Sequence, residues 1–210
     1  MNLNPLRRKP GWQSRDPSTR ARAVATAPLE ELATHLAELA RTDESPEVRR
    51  AALARVDDLA LLADRMHHDD DLAVRDAARQ RYKALLVGPG HPEPERARAV
   101  EAEDDQDVLA HVASGAGEAA LRRAALARTS RPGLLVERCQ HDPDPEIRLW
   151  LLSRIDAPAA LMRIAEAARK GDKRLARAAR ERVEALKLAA GDPETLRARC
   201  LAICDTLNEL

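Results

Sequence analysis

The 210-residue chain is 44% hydrophobic and 33% charged, enough to bury a core, but only Trp12, Tyr82 and Trp150 are aromatic and Phe is absent, so that core is made of Ala, Leu and Val. Lys+Arg and Asp+Glu balance at 35 each, 30 of the basic residues being Arg, which excludes a whole-molecule field drawing the chain to nucleic acid or an anionic membrane. The longest apolar runs are too short to span a bilayer, the basic N-terminus is not followed by an apolar stretch, and three cysteines make an odd count, so a cytoplasmic protein with reduced thiols is expected.

Residues 1–15 read as an N-terminal arm, and a repeat begins after it. The segment PEVRRAALARV at Pro46 recurs as LAVRDAARQRY at Leu72, AALRRAALART at Ala119, PEIRLWLLSRI at Pro145 and KRLARAARERV at Lys173. PSTRARAVATA at Pro17 and EPERARAVEAE at Glu93 are degenerate copies. The equivalent positions are Thr19, Val48, Val74, Glu95, Leu121, Ile147 and Leu175, spaced 29, 26, 21, 26, 26 and 28 residues apart. A period of this length is one helix-turn-helix unit. The residue three before the reference is Asp16, Ser45, Asp71, Glu118, Asp144 or Asp172, mostly types whose side chains cap the free N–H groups of a first helical turn.

Between these first helices lie second helices. One starts at Pro28 with Leu29, Leu32, Leu36 and Leu39 on one stripe, and others are expected near Leu59 to His67, Asp107 to Ala113, Leu134 to Gln140 and Ala159 to Arg169. In the third unit Gly and Pro of VGPGHPEPE replace the second helix, so 88–93 reads as a hinge between repeats over 16–87 and repeats over 94–190. A C-terminal helix over 191–210 carries the stripe Leu196, Cys200, Ile203, Cys204 and Leu207. No further repeat follows to cover this stripe, which predicts that it folds back or self-associates, or that the chain is an N-terminal fragment of a longer protein. No period-2 alternation argues for strands. The expected fold is all-α, an α-solenoid superhelix of about seven helical hairpins.

These repeats resemble the short HEAT repeats of bacterial HEAT-repeat proteins over roughly residues 16–186. The opening Lys9, Pro10, Trp12, Gln13, Asp16 and Pro17 is similar to that of a bacterial family whose N-terminal helical repeats precede helical regions of unknown function. The resemblance implies a scaffold with no catalytic residues to transfer.

Candidate sites were sought against that background. His67, His68, Asp69, Asp70 and Asp71 offer nitrogen and oxygen donors, but repeat alignment puts His68 on His141, Asp69 on Asp142 and Asp71 on Asp144, which makes them turn and cap positions, and no metal or cofactor is expected. Cys200 and Cys204 read as small buried hydrophobes within their stripe, as does Cys139. No phosphate-binding loop, nucleophile elbow or set of catalytic residues is visible, so no enzyme is expected. The arginines one residue after the reference are expected to pair with their own capping carboxylates. A second series, Arg55, Arg81, Arg128, Arg154 and Arg182, lies seven residues after the reference and is expected either to bridge to the next unit's turn or to form an arginine-lined face for nucleic acid. Trp150, which replaces the small Ala51 and Ala77 of other repeats, is either a core filler or a contact anchor. The function expected from these features is a non-catalytic scaffold binding a protein partner, with these arginines and Trp150 as the partner-binding candidates and nucleic-acid binding as the alternative.

Overall fold

The computed structural model describes residues 9–208, so the first part of the 1–15 arm and the last two residues of the C-terminal helix lie outside the described residues. All regular structure among the described residues is helical. The helices are α1 (Pro17–Thr26), α2 (Leu29–Thr42), α3 (Pro46–Leu53), α4 (Leu59–His68), α5 (Leu72–Val87), α6 (Glu93–Glu101), α7 (Gln106–Gly115), α8 (Ala119–Arg128), α9 (Pro132–His141), α10 (Pro145–Leu152), α11 (Pro158–Ala168), α12 (Lys173–Ala189) and α13 (Pro193–Asn208). None is long and apolar enough to cross a membrane. Two compact units form, Met1–Gly117 and Glu118–Leu210.

Local chemistry starts these helices where the sequence places the caps. Asp16, Asp71, Asp144 and Asp172 each accept a backbone N–H from the first turn of α1, α5, α10 and α12. Asp58 and Asp105 do the same for the second helices α4 and α7. Ser45 and Glu118 make no such cap bond, and the Ser45 hydroxyl bonds the Glu47 carboxylate instead. Pro stands in the first turn of α1, α3, α9, α10 and α11, where its missing N–H costs nothing. Gly191, at φ 73°, takes the left-handed turn that closes α12.

In the first unit α1 packs on α3 and α3 on α5, while α2 lies against α3 and α4 against α5. In the second unit α9 packs on α10 and α11, and α12 on α10 and α11. First helices thus bury their stripes against first helices of neighbouring turns. Reference positions Val48, Val74, Leu121, Ile147 and Leu175 are all buried, whereas Thr19 is half-buried and Glu95 exposed. The two degenerate copies therefore keep the helix and lose the apolar anchor.

Two features of the arm and the Gly/Pro stretch differ from expectation. Residues 9–15 are not a free arm, because a short 3-10 turn at Gly11–Gln13 packs on α1 and Trp12 lies beside His35 with ring centroids 6.4 Å apart. A Cβ at Gly11 would come 2.8 Å from that of Ala23, so glycine is required there. No helix follows α5 before α6, as expected, but the chain divides at Gly117–Glu118 and 88–93 lies inside the first unit. The buried Arg96 of α6 ties that stretch down by donating to the carbonyls of His91 and Leu86.

Candidate functional site

The arginine series are the first candidates, and the structure assigns both of them internal partners. Arg20 donates from Nε and Nη2 to Asp43 at 3.0 and 2.8 Å, and from Nη1 to the Ser14 carbonyl at 3.0 Å. Arg49 repeats this on Asp69 at 3.0 and 2.7 Å, and Arg122 on Asp142 at 3.1 and 3.0 Å. Arg148 reaches one oxygen of Asp172 at 3.3 and 2.9 Å. The third unit uses Arg79 and Asp105 instead, 2.9 Å apart. Arg20, Arg49, Arg122 and Arg148 therefore bridge 20 to 24 residues forward instead of pairing with their own caps, whereas Arg75 and Arg96 donate back to the carbonyls of Asp69 and of His91 and Leu86. A capping role does not exclude such a bridge, since Asp172 and Asp105 cap α12 and α7 and still hold Arg148 and Arg79.

The second series runs in the opposite direction from the bridging expected. Arg55 donates to the Val24 carbonyl at 2.6 Å, Arg81 to that of Val56 at 3.0 Å and to Asp57, Arg154 to that of Leu126, and Arg182 to that of Ser153 at 3.4 Å and to Asp156 at 2.8 Å. These carbonyls sit at or just beyond the C-terminal ends of preceding first helices, where orphaned oxygens and the helix dipole favour a cation. Arg128, the equivalent in α8, is exposed. Trp150 is half-buried, with the guanidinium carbons of Arg123 and Arg154 5.0 and 5.4 Å from its ring centroid, so one cation–π contact joins α10 to α8 and a second comes from the turn after α10.

Burial decides which of these bridges matter. Asp142 is fully buried and holds both Arg122 and Arg138, the latter at 2.9 Å. Burial pushes its carboxyl up, but hydrogen bonds from Arg122, Arg138 and the Asp144 backbone outweigh it and hold the group below the usual carboxylate range. Asp69 behaves alike: burial raises it, and Arg49 with the Asp71 backbone lowers it further. The His67 to Asp71 run is thus taken apart. Asp69 clasps Arg49, Asp71 caps α5, and His68 Nδ1 lies 3.1 Å from Asp64. Among the described residues no group of three or more His, Cys, Asp and Glu is placed to hold a metal ion.

Cys139 is buried, its thiol pushed up to about 12 by burial, as its stripe implies. Cys200 and Cys204 are exposed, which corrects the expectation that they are buried. On α13 the side chains of Thr195, Ala198 and Ala202 line the crevice against α12. At 3.6 residues per turn, Leu196, Cys200 and Ile203 lie roughly 130° round from that side and face outwards. Leu196 and Ile203 are exposed accordingly, and Leu201, on another side of the helix, is exposed too; the side chain of Leu207 lies outside the described residues.

Sequence reasoning missed a groove in the first unit. A cavity of about 1070 Å³ is walled by Ala60, Ala63, Asp64 and His67 of α4 and by Glu95, Arg98 and Ala99 of α6 with Ala102 just after it, and Tyr82 of α5 also lines it. Both walls follow the i, i+3, i+4, i+7 spacing of one helix face. Carboxylates of Asp58, Glu103 and Asp104 also border it, and His91 lies 3.3 Å from Glu95. His67 Nε2 is 3.6 Å from the buried Glu103. Burial first, and then Glu103, push the Tyr82 phenol well above its ordinary value, so it stays protonated and its OH lies 3.4 Å from the Ala99 carbonyl. The available signal was the missing second helix between Val87 and Glu93. Comparison with family models, curated proteins and solved structures returns no match for this chain.

Proposed function

We propose that the chain is a HEAT-like α-solenoid of about seven short helical hairpins that acts as a non-catalytic, cytoplasmic scaffold for a protein partner. The observation that carries this reading is the α4–α6 groove, which has an apolar lining of Leu59, Ala60, Ala63, Tyr82, Ala99 and Ala102 beside polar edges. A concave surface of this makeup suits another polypeptide, which gains affinity from area and shape. The recurring Arg–Asp clasps support a stacked repeat, since each one holds successive turns in register. They also weaken the nucleic-acid alternative. Arg55, Arg81, Arg154 and Arg182 spend donors on backbone carbonyls, and Trp150 lies under two guanidinium groups, leaving it a poor stacking platform for bases.

The test has two arms. Affinity capture with the wild-type chain and with Ala63→Arg, which places a long cation in the groove, is expected to recover a protein partner with the first and lose it with the second. Titration against labelled duplex DNA, single-stranded DNA and RNA is expected to show no saturable binding at about 0.15 M salt. Saturable binding there, with no partner sensitive to Ala63→Arg, would replace the scaffold by the nucleic-acid reading.

A second reading concerns α13, favoured by the exposure of Leu196, Cys200 and Ile203 on the side turned away from α12. The occupant of that stripe is a second copy of the chain, because a two-fold pairing buries the same apolar patch on both partners.

A further inference from the structure

We infer that α13 carries half of a four-thiolate metal site, which closes around a zinc-type divalent ion when two copies of the chain pair. The assignment rests on the reading of the α13 stripe as a two-fold contact and gives that contact a ligand. Placement is the first argument. Cys139 is buried in α9, whereas Cys200 and Cys204 are both exposed on α13. They lie on the side turned away from Thr195, Ala198 and Ala202, which line the crevice against α12. Two exposed thiols four residues apart stand one above the other on one helix face, and the same face presents Leu196 and Ile203 to solvent.

Spacing is the second argument. Side chains four apart on a helix have Cβ atoms about 5–6 Å apart, too far for the roughly 3.5–4.5 Å of a disulfide, so the pair does not close on itself. Two thiolates bound to one ion at metal–sulfur distances of ~2.3 Å lie roughly 3.8 Å apart, which sulfurs leaning towards each other from those Cβ atoms reach. The pair is therefore a bidentate soft-donor clip, and thiolates select zinc-type ions over the magnesium or calcium that carboxylates favour. A structural site of this kind is tetrahedral and closed by four protein ligands, and one chain supplies two of them. Among the described residues no third His, Cys, Asp or Glu joins the pair to complete a metal site. A second copy brings the same two thiols, and a two-fold axis passing between Cys200 and Cys204 converges all four sulfurs on one point. This identifies the occupant of the stripe as this chain and not an unrelated protein. Leu196 and Ile203 then border the centre and keep water from it. Arg197, exposed one turn before Cys200, offsets the negative charge that four thiolates leave on a divalent ion. Each thiol gives its proton to solvent as its bond to the ion forms, and no electron is transferred.

The test uses the full-length chain with its thiols kept reduced, and Zn²⁺ and Co²⁺ alone as probes. Cobalt is expected to produce the intense visible absorption of tetrahedral thiolate coordination, saturating at one ion per two chains, and zinc to displace it. In sedimentation zinc is expected to lower the chain concentration at half-dimerisation at least tenfold, and a chelator to reverse the effect. Cys200→Ser and Cys204→Ser, on an exposed face where the exchange leaves the fold intact by circular dichroism, are each expected to abolish both the cobalt absorption and the zinc effect. Saturation at one ion per chain on a monomer, no thiolate absorption, or a signal that survives both substitutions overturns the site. So does dimerisation seen only when the reductant is left out, which is an interchain disulfide. The contact reading fails separately. Dimers that ignore zinc and persist in Cys200→Ser but vanish with Ile203→Glu leave the two-fold contact standing and remove the metal, whereas a monomer at every concentration, with and without zinc, removes both.

Discussion

At the scale of single residues, the decisive contacts are the buried clasps. Asp142 satisfies two guanidinium groups and one backbone N–H, and removing its charge takes from Arg122 and Arg138 the buried carboxylate that they share. Breaking one partner of such a buried set costs about 3–5 kcal/mol. Asp142→Asn is therefore expected to lower the denaturation midpoint sharply in urea, whereas Asp156→Asn, at an ion pair whose Asp is 78% exposed, is expected to leave it nearly unchanged. The pH dependence has a definite sign. Asp142 and Asp69 are held below the ordinary value of 3.8 in the folded chain, so they bind fewer protons folded than unfolded. Their stabilisation is complete above that value and is lost as pH falls through the depressed folded values, so acid melting curves of Asp142→Asn should be flatter than those of the wild type over that window.

At the scale of helices, burial depends on which side of an amphipathic element meets a neighbour. Cys139 on α9 faces the core and donates to the Arg148 carbonyl at 3.3 Å, while Cys200 and Cys204 on α13 face out. Thiol titration of the native protein at about pH 8 is expected to report two fast-reacting groups and a third only after denaturation. Three fast groups would mean that α9 opens readily, and one would mean that the outward stripe of α13 is covered. The same stripe arithmetic reads α4 and α6, where small residues border an unfilled space, but nothing in the pattern of either helix alone says that the space is there.

At the scale of the whole molecule, the exact charge balance goes with extensive internal pairing, as in Arg49–Asp69, Arg122–Asp142 and Arg148–Asp172. The exposed stripe of α13 makes its own prediction about assembly. Sedimentation of the full chain is expected to show concentration-dependent dimers at about 10–100 μM that disappear with Leu196→Glu and Ile203→Glu, and a monomer throughout would remove the self-association reading. Nucleic-acid affinity, if present, would instead fall steeply with salt.

The sequence by itself determined the helices, their order and most of their starts. Asp16, Asp71, Asp144 and Asp172 cap where the repeat places them, and the second helices at Leu59, Gln106, Pro132 and Pro158 begin within two residues of their expected positions. Caps and a 3.6-residue period act within one or two turns, so a linear reading reaches them. Only the tertiary structure decided which carboxylate each arginine finds, where the compact units part, that Cys200 and Cys204 are exposed, and that α4 and α6 border an open groove. An apolar stripe says which side of a helix avoids water, but whether another element covers it depends on the path of the chain between helices. The Arg–Asp bridges likewise join residues 20 or more positions apart, and at that distance the fold, not the local pattern, selects the partner.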